Sequence, residues 1–144
     1  MATYRTRIES PLTREEAFDY LSDFQNAAEW DSNTVSSECL GGDPRRHGAR
    51  FEVVTEFGGR NLTLVYETIE FDRPAKVVFR SETGMSSIED TITFDSAGDG
   101  SVVEYEARIN MKGLAKALDP VFSLVFGRVG DRAAEGLRKA LKAG

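Results

Sequence analysis

At 144 residues the chain is one domain's worth of polypeptide, and a composition of 40% hydrophobic and 29% charged residues suits a packed core rather than a disordered polymer. Eighteen Lys and Arg against 24 Asp and Glu leave a net charge of −6, so a polyanion such as nucleic acid or an acidic membrane surface would meet repulsion. A single cysteine, Cys39, and a single histidine, His47, exclude an internal disulfide, a structural zinc site and the common multi-His metal centres.

The opening run 3–9 is rich in β-branched and aromatic residues and reads as a strand closed by Ser10-Pro11. Thr13 and Glu16 have capping-box spacing, which Ser22 and Gln25 repeat, so two short helices are expected over 14–21 and 23–30. Their apolar residues (Ala17, Phe18, Leu21, then Phe24, Ala27, Ala28) recur on one side at helical spacing. Strand candidates follow at 34–40, 49–57, 61–71, 75–82, 86–95 and 101–111, separated by Gly, Asp and Pro turn clusters short enough to imply an antiparallel meander. Asp119-Pro120 then reads as an N-cap and first-turn proline of a helix running to about residue 142. Val121, Val125, Val129, Ala133, Leu137 and Leu141 form its apolar stripe, and its length of about 34 Å needs a partner as long as a sheet.

No repeat or linker interrupts this order, so residues 1–144 are expected to form one domain. No segment has the length and apolarity of a membrane span or a signal peptide, and the expected setting is a reducing cytoplasm. No phosphate-cradling or dinucleotide glycine pattern occurs, so no cofactor is called for.

The opening strand followed by SPLTREEAFDYLSDFQNAAEWD, the stretches HGARFEV, FDRPAKVVF and GDGSVVEYEA, and the terminal helix together resemble the helix-grip superfamily (SRPBCC). That superfamily comprises START domains, pollen-allergen-like proteins and polyketide cyclase/dehydrase-like proteins. The resemblance covers nearly the whole chain and rests on order and spacing rather than on one motif. It implies an α+β fold in which a curved antiparallel sheet of about seven strands grips a long C-terminal helix. It also implies a hydrophobic small-molecule partner (lipid, polyketide or isoprenoid-like) held between the two, in a space that a curved sheet under one helix leaves open.

Alternation puts Ile88, Asp90, Ile92 and Phe94 on one side of the penultimate strand, and Val103, Tyr105, Ala107, Ile109 and Met111 on one side of the last. One carboxyl, Asp90, therefore falls among apolar neighbours, where burial raises its pKa, and Tyr105 is a candidate cross-strand partner. These two are the only candidate catalytic residues. The candidate ligand-binding wall is Trp30, Phe51, Val53, Phe57, Ile88, Asp90, Ile92 and Tyr105 with Phe122, Val125, Phe126 and Val129 of the helix, the resemblance placing Trp30 near the cavity mouth. The strand at 61–71 is apolar on both faces, Leu62/Leu64/Tyr66 against Val65/Ile69/Phe71, and alternation cannot choose between them. Gly127, Gly130 and Gly136 interrupt the helix, marking close packing, side-chain volume withheld from a cavity, or local mobility. His47 is read as a solvated loop residue and Cys39 as a small buried hydrophobe.

Three functions are compatible with this reading. A carrier or sensor needs only the cavity and is preferred. A cyclase or dehydratase would rest on Asp90 and Tyr105 alone, and an interaction (toxin-like) protein would leave the cavity vestigial. Whether the chain forms a homodimer is open.

Overall fold

In the computed structural model, which describes residues 2–113 and 119–143 (backbone alone for 119–124 and 143), seven strands and three helices follow the expected order. They are β1 (Ala2–Ser10), α1 (Arg14–Ser22), a single 3-10 turn (Phe24–Asn26), α2 (Ala27–Trp30), β2 (Thr34–Cys39), β3 (Arg50–Phe57), β4 (Arg60–Asp72), β5 (Lys76–Glu82), β6 (Ser86–Ala97), β7 (Gly100–Met111) and α3 (Asp119–Ala143). All strands join one antiparallel sheet in the order β1-β7-β6-β5-β4-β3-β2. Thus β2 to β7 form a meander, and β1 adds to the outer side of β7. The β3–β4 connection is a two-residue hairpin whose Gly58 and Gly59 both take positive φ (61° and 82°), a conformation costly for other residues.

At the start of α1 the Thr13 Oγ1 accepts from Glu16 N (3.1 Å) and Thr13 N donates to Glu16 Oε1 (3.0 Å), completing the expected capping box. The second box does not form. Ser22 is the buried last residue of α1, and Asp23 caps the next turn instead, accepting from Gln25 N at 3.0 Å. An aspartate two residues before a free amide satisfies it more directly than Ser22 can, so the expected helix over 23–30 divides into the 3-10 turn and the four-residue α2.

These short helices drive aromatic rings into one end of the sheet's inner face. Phe18 meets Phe71 and Phe94 edge-on, with centroids 5.1 and 5.2 Å apart. Phe24 sits among Phe51, Tyr66 and Phe79 at 5.9, 5.0 and 4.3 Å. A register shift in β4 between Thr68 and Glu70 explains its two apolar faces: before it Leu64, Tyr66 and Thr68 point inward, and after it Phe71 does, reaching Phe18. Val65, on the opposite face, is exposed.

The C-terminal half of α3 is fastened along β1 and α2 rather than across the middle of the sheet. Leu137 and Leu141 are fully buried, and Ser10 Oγ donates to the Leu141 carbonyl at 2.9 Å. Gly136 lies against the Trp30 carbonyl and Gly130 against the Tyr4 ring, so closely that a Cβ at either position would overlap its neighbour. Close packing holds at both positions, and Gly130 also borders the cavity described below. Gly127 faces open space, with nothing within 4 Å of a Cβ built there, and does not line the cavity described below. Cys39 is half-buried at the end of the edge strand β2 and its thiol lies 3.5 Å from the Gly41 carbonyl, so it is less enclosed than a core hydrophobe.

Candidate functional site

Beyond the aromatic-packed end, sheet and helix diverge and enclose a cavity of about 410 Å3. Its walls come from β3 and β4 (Phe57, Leu62, Leu64, Tyr66), from β6 and β7 (Ile88, Asp90, Tyr105, Ala107, Ile109, Met111) and from α3 (Phe126, Val129, Ala133). The β5–β6 turn contributes Thr83 to Ser86. Met85 and Leu62 are 65% and 43% exposed and mark the mouth, whereas Asp90, Tyr66 and Tyr105 are buried and mark the inner end.

The register explains why the cavity stops there. On β6 and β7 the inward pairs run Ile88↔Ile109, Asp90↔Ala107 and Ile92↔Tyr105. Past Asp90 the position is filled by Ile92, and Trp30 packs edge-on against Tyr105 at 5.8 Å, so Tyr105 is the last side chain with a cavity-facing surface. Ala107, the strand partner of Asp90, is small and lines the cavity beside it.

The inner end is polar. Tyr105 Oη donates to Asp90 Oδ2 at 3.0 Å across the diagonal of the pair. Asp90 is 5% exposed, and burial raises its carboxyl from 3.8 to about 7. The Tyr105 bond opposes that rise, while the charges of Asp31 and Glu89 add to it. Burial likewise raises Tyr105 and Tyr66 well above the ordinary phenol value, with the carboxyls of Asp90 and Asp31 reinforcing the effect. Asp31 lines the same end. Its Oδ1 accepts from Asn33 N and Nδ2 (2.9 Å each) and its Oδ2 from Thr34 Oγ1 (3.0 Å). Burial still raises its pKa in spite of these donors. Asn33 Nδ2 also donates to the Val129 carbonyl at 2.9 Å, which ties this loop to α3 beside the cavity.

Of the residues expected to line a pocket, Phe57, Ile88, Asp90, Tyr105, Phe126 and Val129 surround the cavity. Trp30, Phe51, Val53 and Ile92 do not: all are at most 2% exposed and belong to the packed core, where the short helices fill the space that alternation alone would leave to a ligand. Val125 is half-buried beside the lining rather than in it, and the Phe122 side chain lies outside the described residues. The ambiguity in β4 resolves to the Leu62/Leu64/Tyr66 face. Asp31 was not anticipated, while Ala107, Ile109 and Met111, expected on the same side as Tyr105, line the cavity as well. Asp31-Ser32-Asn33 carries the signal of an aspartate turning back onto the amide two residues on, but such a signal locates a turn, not a cavity.

No helix among the described residues is long and apolar enough to cross a membrane. The twisted sheet wrapped about a terminal helix over a largely apolar chamber defines a START-like, helix-grip ligand-binding fold. Solved structures agree. A START superfamily protein from Mycobacterium smegmatis superposes with a TM-score of 0.79 at 13% identity, covering 98% of this chain and 97% of that one. The Zhui aromatase/cyclase from Streptomyces sp. R1128 gives 0.75 at 10% identity over 96% and 90%, and the major latex-like protein 151 from Panax ginseng 0.67 at 12% over 97% of each. These likenesses are of fold. The sequence itself, over residues 1–142, matches the family described as polyketide cyclase / dehydrase and lipid transport, and the chain belongs to that family. Comparison with curated proteins finds no match.

Proposed function

We propose that the protein binds a hydrophobic small molecule of lipid, polyketide or isoprenoid type in the cavity between its sheet and α3, acting as a carrier or sensor. One observation carries this reading: a chamber of about 410 Å3 with apolar walls and a polar inner end, within the range of about 300 to 1,000 Å3 typical of small-molecule sites. The net charge of −6 favours such a partner over nucleic acid. Native mass spectrometry of protein purified from its own host tests the proposal. A co-purifying apolar molecule, lost on substitution of a wall residue such as Leu64 by Trp, supports it. A protein that stays free of ligand and takes up no neutral apolar probe refutes it.

A second reading has its own observation. A carboxyl raised to about 7, hydrogen-bonded to a phenol and facing a cavity, is poised for general acid–base work on a carbonyl compound. Asp90, held in place by the Tyr105 hydroxyl, would remove or return a proton at a carbon next to the carbonyl, as a cyclisation or dehydration requires. Turnover of an aromatic-polyketide precursor that disappears in Asp90→Asn while binding persists would establish this reading, and absence of turnover across a panel of such precursors would dismiss it.

A further inference from the structure

The polar groups at the inner end of the cavity carry information about the ligand's head. No Lys, Arg or His stands among the described residues lining the cavity, whereas two carboxyls do. A bound carboxylate or phosphate would therefore be buried beside Asp90 and Asp31 with no cation in the wall to pair with it, the charge of Arg132 acting on Asp31 from outside the lining, a placement that charge desolvation penalises.

The two carboxyls are not equivalent. Asp31 already receives three hydrogen bonds from Asn33 and Thr34, and its lone pairs are largely committed. Asp90 receives one, from Tyr105 to Oδ2, which leaves Oδ1 without a protein donor among the described residues. Tyr66, two strands away on the same inner face, lines the cavity with a hydroxyl that has no protein hydrogen-bond partner among the described residues. The inner end thus offers one open acceptor and one open donor. A carboxylate could only accept, and an alkyl head could do neither. A hydroxyl does both at once.

Resting on the binding function proposed above, we infer that the cavity selects neutral hydroxyl-bearing hydrophobic molecules, alcohols or phenols, whose hydroxyl donates to Asp90 and accepts from Tyr66, and that it rejects the corresponding carboxylic acids.

Three probes share one apolar body and differ at the head: 2-naphthaleneethanol, 2-naphthaleneacetate and 2-ethylnaphthalene. Each is titrated against the full-length protein at about pH 8, where the acid is ionised, by displacement of the neutral fluorophore N-phenyl-1-naphthylamine and by direct calorimetry. The alcohol is expected to bind about tenfold or more tighter than the acetate, and several-fold tighter than the ethyl compound. Tyr66→Phe, which keeps the ring among its aromatic neighbours, is expected to remove most of the advantage over the ethyl compound. Asp90→Asn is expected to narrow the gap between alcohol and acetate. An acetate that binds as well as the alcohol, or an ethyl compound that does, overturns the selectivity while leaving apolar binding in place. Failure of the fluorophore and all three probes to bind overturns the binding function itself, and the selectivity with it.

Discussion

Asp90→Asn exchanges a buried carboxyl for a neutral group of the same shape that can still accept the Tyr105 hydrogen bond. In the unfolded chain the Asp90 carboxyl loses its proton near 3.8, whereas in the folded protein burial holds the proton to about pH 7. Between these values the folded state binds a proton that the unfolded state has released. The stability from this residue is therefore fully present below about 3.8 and is lost as pH rises through about 7. The total loss is about 4 kcal/mol, of which about 3 kcal/mol falls between about pH 5 and about pH 9. The variant carries no such term. Urea unfolding followed by the fluorescence of Trp30, the one tryptophan, which packs on Tyr105, reads this directly. The variant's advantage over the wild type should grow by about 3 kcal/mol across that range. Parallel stability–pH curves for the two proteins would show that Asp90 is solvated in the folded state, and would refute the account of the polar inner end.

The helix glycines give a contrast that needs no ligand. Gly136→Ala must displace the Trp30 backbone and should cost about 3 kcal/mol or more in chemical denaturation, while Gly127→Ala, with open space around it, should raise stability by up to about 1 kcal/mol. Tyr105→Phe removes the one donor to Asp90 among the described residues and should lower stability by about 1 to 3 kcal/mol and push the Asp90 carboxyl higher still, measurable from its carbon chemical shift against pH. Ala107→Phe should fill the chamber beside Asp90 and abolish uptake of a neutral apolar fluorophore while thermal unfolding remains cooperative. Undiminished uptake would place the binding surface elsewhere.

Element order and the antiparallel meander were legible from the short turn clusters, and the inward faces of β6 and β7 because period-two alternation is clean there, with Asp90 the sole charged residue of its set; the pairing of β1 with β7 was not. Alternation reports which face a residue occupies, however, and not how deep it lies. Phe51, Val53 and Ile92 are in phase with Phe57 and Ile88, yet Phe51 is buried against Phe24, inserted from the 3-10 turn, and Ile92 lies beyond the point where the cavity ends. That distinction depends on contacts between segments distant in sequence. The roles of Gly130 and Gly136 were hidden for the same reason, since Tyr4 and Trp30 come to them from other elements. Asp31 escaped because its side chain serves its own loop as well as the chamber.

The single extra residue in β4 divides that strand into two territories. Toward the hairpin, Leu62 and Leu64 line the hollow, so exchanges there reshape the room offered to a guest. Past Thr68 the strand answers to the ring of Phe18, and little can change without loosening the whole molecule. A lineage acquiring a new guest would thus be expected to vary on one side of Ile69 and hold still on the other.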